Sequence, residues 1–191
     1  MPELPSANAA VSHNSPGPSE EESPITPWGA PRSKIVSWHA PQVSASAVPT
    51  LSGIDFMRAL RDGRLPAPPI AQLFGMRLVE VESGMVVFEC EPDESAYNPI
   101  GTVHGGLVCT LADSVTGCAV HTTLERGFGY TSIDISVNYL RPVTAASGVL
   151  RAVGTVTKPG RRVAFACAEI VDGAGKVVAT ATSSILVMPA G

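Results

Sequence analysis

Apolar residues recur with two different periods along this chain. Leu107, Val108, Leu111, Ala112, Val115 and Ala119 return every three or four positions and form one broad face, which predicts a helix over residues 104–124. On either side of it the period falls to two. The runs "MRLVEVE" and "MVVFECE" straddle Ser83 and Gly84 and predict a two-residue hairpin. In "YTSIDISVNYL", Thr131, Ile133, Ile135, Val137 and Tyr139 share the apolar, helix-facing side, while Ser132, Asp134, Ser136 and Asn138 share the other. Three further strand patterns, "GVLRAVGTVT", "RVAFACAEIV" and "KVVATATSSILVM", are separated by the turn signals "KPGR" and "DGAGK". Two strands, a long helix and four strands joined by tight turns predict an α+β fold. An antiparallel sheet of about six strands, running as a meander, would wrap the single long helix.

Upstream the periodicity fails. Residues 1–30 are rich in Pro, Ser, Ala and Glu, cannot bury enough apolar surface to offset chain entropy, and read as a disordered tail. In the stretch 31–69, Ile35, Val36 and Trp38 suggest a short docking arm. "LSGIDFMRALRDG" reads as a helix with Ser52 as N-cap, an apolar face of Ile54, Phe56, Met57 and Leu60, and Gly63 as its stop. "RLPAPPIA" reads as an extended linker, because prolines at 66, 68 and 69 oppose regular structure. The folded domain is then expected over 70–191.

Composition narrows the partners. The chain has 191 residues, 45% of them hydrophobic, enough for one domain with a proper core. A net charge of -4 leaves no basic stripe for nucleic acid. No apolar run nears the roughly 20 residues that span a bilayer. "MPELPSANAA" lacks the basic-then-apolar order of a secretory signal. Cys90, Cys109, Cys118 and Cys167 form no CxxC pair and read as small core residues of a reduced, cytoplasmic protein. No Cys/His spacing suggests a metal site.

The chemistry concentrates in "YNPIGTVHGGLVCTLADSVTGCAVHTTL". A helix beginning near Gly105 presents unpaired backbone N–H groups with the positive end of the dipole behind them. The missing side chains of Gly105 and Gly106 would let a carbonyl approach closely, as an oxyanion hole requires, although paired glycines can also serve merely as a tight entry turn. Asp113 shares its strip of the helix with Gly106, Cys109, Thr116, Gly117 and Val120. A solvent-facing acid is the bland reading. Inside a wrapping sheet, however, a carboxylate is desolvated and becomes a candidate for chemistry. His121, at the helix end, reads as a satisfied or dipole-favoured histidine.

These residues carry a resemblance. The pattern N-P-x-G-x-x-H-G-G, then L-A-D on the helix, Y-L-R-P closing a strand and G-R between the last pairs is similar to that of the hotdog-fold acyl-CoA thioesterases. The likeness is to the phenylacetate-pathway (PaaI-like) branch, which includes 4-hydroxybenzoyl-CoA thioesterase relatives, and it covers residues 75–188. It implies a hotdog fold and hydrolysis of an acyl-CoA, aryl or medium-chain, to a carboxylic acid and CoA with neither metal nor organic cofactor. The Gly105 N–H would polarise the thioester carbonyl. Asp113 would activate water or attack directly. Asn98 would sit near the reacting group, and either Thr131 or Ser132 would supply a hydroxyl that orients water. His104 would cap the loop and hydrogen-bond Asn98, with a direct acid/base role as its alternative. Gly106, Arg141, Lys158, Arg161 and Arg162 are the candidate substrate and CoA contacts, the four cations meeting phosphates.

Geometry then implies a partner. Asp113 lies nine residues beyond His104, about half a turn out of phase and roughly 13 Å along the axis. One chain cannot bring Gly105 and Asp113 to the same thioester carbon, whereas antiparallel helices of two copies can. A homodimer with two shared sites, or a dimer of dimers, is therefore expected. The competing expectations are a non-catalytic acyl-CoA-binding regulator and a hotdog hydratase/dehydratase. The presence of Asp113 weighs against the first, and its separation from His104 weighs against the second.

Overall fold

A computed structural model describes residues 28–190. The tail expected over 1–30 lies outside the described residues as far as residue 27. The compact unit that holds the secondary structure begins at Lys34, and the description below concerns that unit.

Among the described residues it holds two short 3₁₀ turns, four α-helices and six strands: α1 (Gln42–Ala45), α2 (Gly53–Arg61), α3 (Pro69–Phe74), β1 (Met76–Glu82), β2 (Met85–Cys90), α4 (Gly105–His121), β3 (Phe128–Tyr139), β4 (Leu150–Lys158), β5 (Val163–Val171) and β6 (Val177–Pro189). Helix α2 starts as its sequence predicts, with the Ser52 hydroxyl accepting from the Asp55 N–H. The expected proline linker is corrected at its end, because Pro69 opens α3. At a first helical position the proline's missing N–H forfeits nothing, and its fixed φ suits the helix. Gly75 closes α3 in the left-handed region at φ 64°.

The strands form one antiparallel sheet in the order β1-β2-β4-β5-β6-β3. The α+β expectation, a six-stranded antiparallel sheet around one long helix, is borne out. The expected meander of the last four strands is not. Strands β4, β5 and β6 follow one another, but β3 lies at the far edge and pairs with β6 from Phe128↔Pro189 to Tyr139↔Ala179. The segment 140–149, with Pro142 and a 3₁₀ turn at Ala145–Ser147, is too long for a tight hairpin. It carries the chain past the intervening strands instead.

Helix α4 sits against the sheet through Leu111, Ala112, Val115 and Ala119, all at 0% exposure. Contact with β4 is so close that a Cβ at Gly154 would lie 2.2 Å from the Val115 carbonyl oxygen. Glycine is what lets this helix lie down on this strand. Phe56, Met57 and Ala71, from α2 and α3, are buried in the same core cluster, so the core reaches back beyond residue 70. Among the described residues no helix is long and apolar enough to cross a membrane.

Candidate active site

The start of α4 is built by local hydrogen bonds. His104 is its N-cap, in extended backbone, and its Nδ1 accepts from the Gly106 N–H at 2.8 Å. The expected His104–Asn98 bond is not made: His104 Nδ1 takes the Gly106 N–H, and the Asn98 side chain turns to its own loop. Asn98 instead braces the entry loop: its side-chain oxygen accepts from the Ile100 N–H at 3.1 Å and its Nδ2 donates to Thr102 Oγ1 at 3.1 Å. A Cβ on Gly106 would stand 2.8 Å from His104 Nδ1, so the cap itself requires glycine there. The Gly105 N–H has no acceptor among the described residues. It is the donor left over once His104 has taken its neighbour. On the other side of Gly105, the Tyr139 hydroxyl donates to the Gly105 carbonyl at 3.0 Å, and the Tyr139 ring closes over the glycine.

Two turns along the helix, Asp113 is half-buried and accepts a hydrogen bond from Ser132 Oγ at 2.6 Å. Strand parity predicts Thr131 on the helix side, and the structure reverses this. A bulge between Ser132 and Asp134 shifts the register of β3. Before the bulge Tyr130 and Ser132 face the helix; after it Ile135 and Val137 do, leaving Thr131 and Ile133 exposed. Thr131 is therefore turned away from Asp113, and Ser132 is the hydroxyl brought to it.

The accessible strip of α4 also differs from the expected one. Thr116, Gly117 and Val120 are buried against the sheet; a Cβ at Gly117 would meet the Tyr130 ring at 2.4 Å. The half-buried line runs instead through Gly106, Cys109, Thr110, Asp113, Ser114 and Cys118.

Asp113 borders a cavity of about 470 Å³ whose other walls include Met57, Leu60, Ala71, Met76, Phe88 and Tyr130. Cys118 Sγ lies 3.7 Å from the Tyr130 hydroxyl. Burial pushes the Cys118 thiol up to about 11 and the Tyr130 hydroxyl well above its ordinary value, so both are neutral. His121, packed on Phe56 and Tyr130 at centroid distances of 5.0 and 5.3 Å, is pushed down to about 4 by burial. It is a buried neutral ring, not a dipole-stabilised cation.

Gly105 lines a different cavity, of about 280 Å³, together with Tyr139, Arg141 and Val143. Arg141 is thus beside Gly105, with its guanidinium donating to the Val177 carbonyl. Arg161 is elsewhere. It borders a cavity of about 510 Å³ with Thr123, Glu125 and Phe128, beyond the C-terminal end of α4; Lys158, at the end of β4, and Arg162, in the turn that follows, are exposed. Within one chain these three cations do not join Gly105. Tyr139 belongs to the Y-L-R-P motif, and Met57 and Leu60 to the apolar face of α2, but neither pattern predicts a place at this site, and Tyr130, Cys118 and Ala71 carry no local signal for one. All of these roles depend on contacts between distant segments.

The sequence matches the Thioesterase superfamily over residues 100–179. Acyl-coenzyme A thioesterase 13 of Homo sapiens is 34% identical over 103 residues, which are 53% of this chain and 72% of the human protein. The crystal structure of a phenylacetic acid degradation-related protein from Ralstonia eutropha JMP134 superposes with a TM-score of 0.63 at 30% identity, covering 68% of this chain and 98% of that one. A Streptococcus mutans UA159 protein, solved bound to acetyl-CoA, superposes with a TM-score of 0.55 at 27% identity, covering 60% and 89%.

Proposed function

Because this chain belongs to the thioesterase superfamily and is a thioester hydrolase, we propose that it cleaves acyl-CoA at a site shared between two copies of itself. The Gly105 N–H of one copy hydrogen-bonds the thioester carbonyl oxygen and stabilises the negative charge that develops there. Asp113 of the other copy, its carboxylate held by Ser132, takes a proton from water as the water oxygen bonds to the carbonyl carbon. The carbon–sulfur bond then breaks, the CoA thiolate leaves and is protonated, and the acyl group departs as a carboxylic acid. Arg141, next to Gly105, offers the CoA phosphates a cation.

The observation that carries this reading is the separation of the two groups. Gly105 and Asp113 stand on one helix yet border two different cavities. A second antiparallel α4 would place each beside the other's counterpart. Strand β3 supports the pairing, because it is an edge strand of 12 residues and so exposes a long row of backbone groups to a second copy. CoA as the leaving thiol is supported by the human relative's name and by the acetyl-CoA bound to the Streptococcus protein. A panel of acyl-CoA thioesters, read by free-thiol release, tests the proposal. Hydrolysis of one or more members by the wild-type chain is expected, and release from none of them overturns it.

A further inference from the structure

The cavity beside Asp113 is walled largely by parts of the chain that precede the segment matched to the superfamily. Helix α2 contributes Met57 and Leu60, the stretch 67–72 contributes Ala71, and β1 contributes Met76 and Leu78. Only Asp113, Ser114, Cys118 and Tyr130 come from within residues 100–179. We infer that this cavity receives the acyl chain of the substrate, and that α2 and the stretch 67–72 gauge its length in favour of neutral, unbranched chains of medium length. The inference rests on the thioester-hydrolase reading above and deepens it.

Three observations support it. First, size: about 470 Å³ is in the range of cavities that enclose a drug-sized ligand, far more than a two-carbon acyl group would fill. Second, the wall has no spare charge for the chain's far end. The two bordering cations are already paired, Arg61 with Asp62 at 2.8 Å and Arg77 with Glu89 at 2.9 Å, and apart from Asp113 the remaining polar groups of the wall, Gln72, Ser114 and the Tyr130 hydroxyl, carry no charge. Third, the walls differ in rigidity. Tyr130 is backed by Gly117, where even a methyl group would collide with its ring at 2.4 Å, so that side cannot recede. The lining also includes Met57, Leu60 and Met76, whose flexible or terminally branched apolar side chains can shift to fit an alkyl chain. Each methylene that enters such a space strengthens binding roughly fourfold, until the wall is met.

The test uses the full chain and two substitutions at Leu60. The ratio of kcat/KM for decanoyl-CoA to that for butyryl-CoA is measured for each. Leu60→Trp fills the cavity from the α2 side and is expected to lower that ratio about tenfold or more. Leu60→Ala is expected to raise the corresponding ratio of dodecanoyl-CoA to decanoyl-CoA. Ratios for both variants that stay within about twofold of the wild type overturn the inference. Should Leu60→Trp fail to fold by circular dichroism, Leu60→Ala decides alone. Calorimetric binding of the non-hydrolysable decanoyl and butyryl thioether analogues of CoA separates this inference from the reading beneath it. Absent hydrolysis with chain-length-graded binding that responds to Leu60 rejects the hydrolase mechanism and keeps the gauge. Binding that ignores chain length rejects the gauge whether or not thioesters are cleaved.

Discussion

Ser132 donates a hydrogen bond of 2.6 Å to the carboxylate of Asp113, from a strand whose bulge alone turns that hydroxyl toward the helix. One carboxylate oxygen is thereby fixed, and the other is left to meet water. Asp113→Asn keeps the shape of the side chain and removes the base that the proposed mechanism requires. A fall in kcat of about 10²–10⁴ is expected, with an unchanged circular dichroism spectrum. Ser132→Ala should cost about tenfold in kcat, the scale of one hydrogen bond to a charged group. The double variant should be little worse than Asp113→Asn, since the hydroxyl acts through the acid. Steady-state kinetics on the three variants checks this, and full activity in Asp113→Asn would make the acid structural.

A shared site is tested by complementation. Gly105→Pro deletes the free N–H at a first helical position, after a residue already in extended backbone at ψ 134°, and requires the exposed Tyr139 ring, 3.1 Å from where a Cβ would stand, to shift slightly. In the proposed dimer, mixing and reannealing it with Asp113→Ala gives heterodimers that hold one site with both groups intact. The equimolar mixture should recover about a quarter of wild-type turnover, while each variant alone stays inactive. No recovery, with heterodimers verified by mass spectrometry, would rule out sharing.

Gly154 carries the contact between helix and sheet. Alanine there would drive a methyl group to 2.2 Å from the Val115 carbonyl oxygen, backbone against backbone, with no flexible side chain to yield. Gly154→Ala should destabilise the fold by about 1–3 kcal/mol or more, lowering Tm by several degrees in a thermal melt. An unchanged Tm would mean that α4 lies farther from β4 than this structure has it.

His121 makes stability depend on pH. Burial lowers its folded value to about 4 from an ordinary 6.5. Between those values the unfolded chain binds a proton that the folded chain does not. Its contribution is therefore complete above about pH 6.5 and is lost as the pH falls toward 4, by about 3 kcal/mol in all. Urea unfolding across this range should show the loss. His121→Leu, which cannot titrate, should flatten that part of the profile.

Much of this protein was legible in the one-dimensional pattern. The 3.6-residue period around Leu111 and Val115 marked α4, and the two-residue alternations marked all six strands. Ser52 announced its cap, and the spacing of Asn98, His104, Gly105 and Asp113 carried a family resemblance that the fold bears out. Each of these signals is local, since it depends on residues within a turn or two of one another.

What stayed hidden is non-local. A single extra residue in β3 exchanged the faces of Thr131 and Ser132, because alternation is read from an origin that a bulge resets. The edge position of β3 follows from pairing with β6, which only the assembled sheet selects. His104 caps the Gly106 N–H and not Asn98, a pairing that only the closed helix start sets up. Likewise Met57 and Leu60 read as one face of a short helix, and became a cavity wall only when α2 docked beside the sheet and α4. Local periods specify which elements form and which side of each is apolar. Which side chains meet is settled by register and docking, whose energies are sums over contacts between segments far apart in the chain.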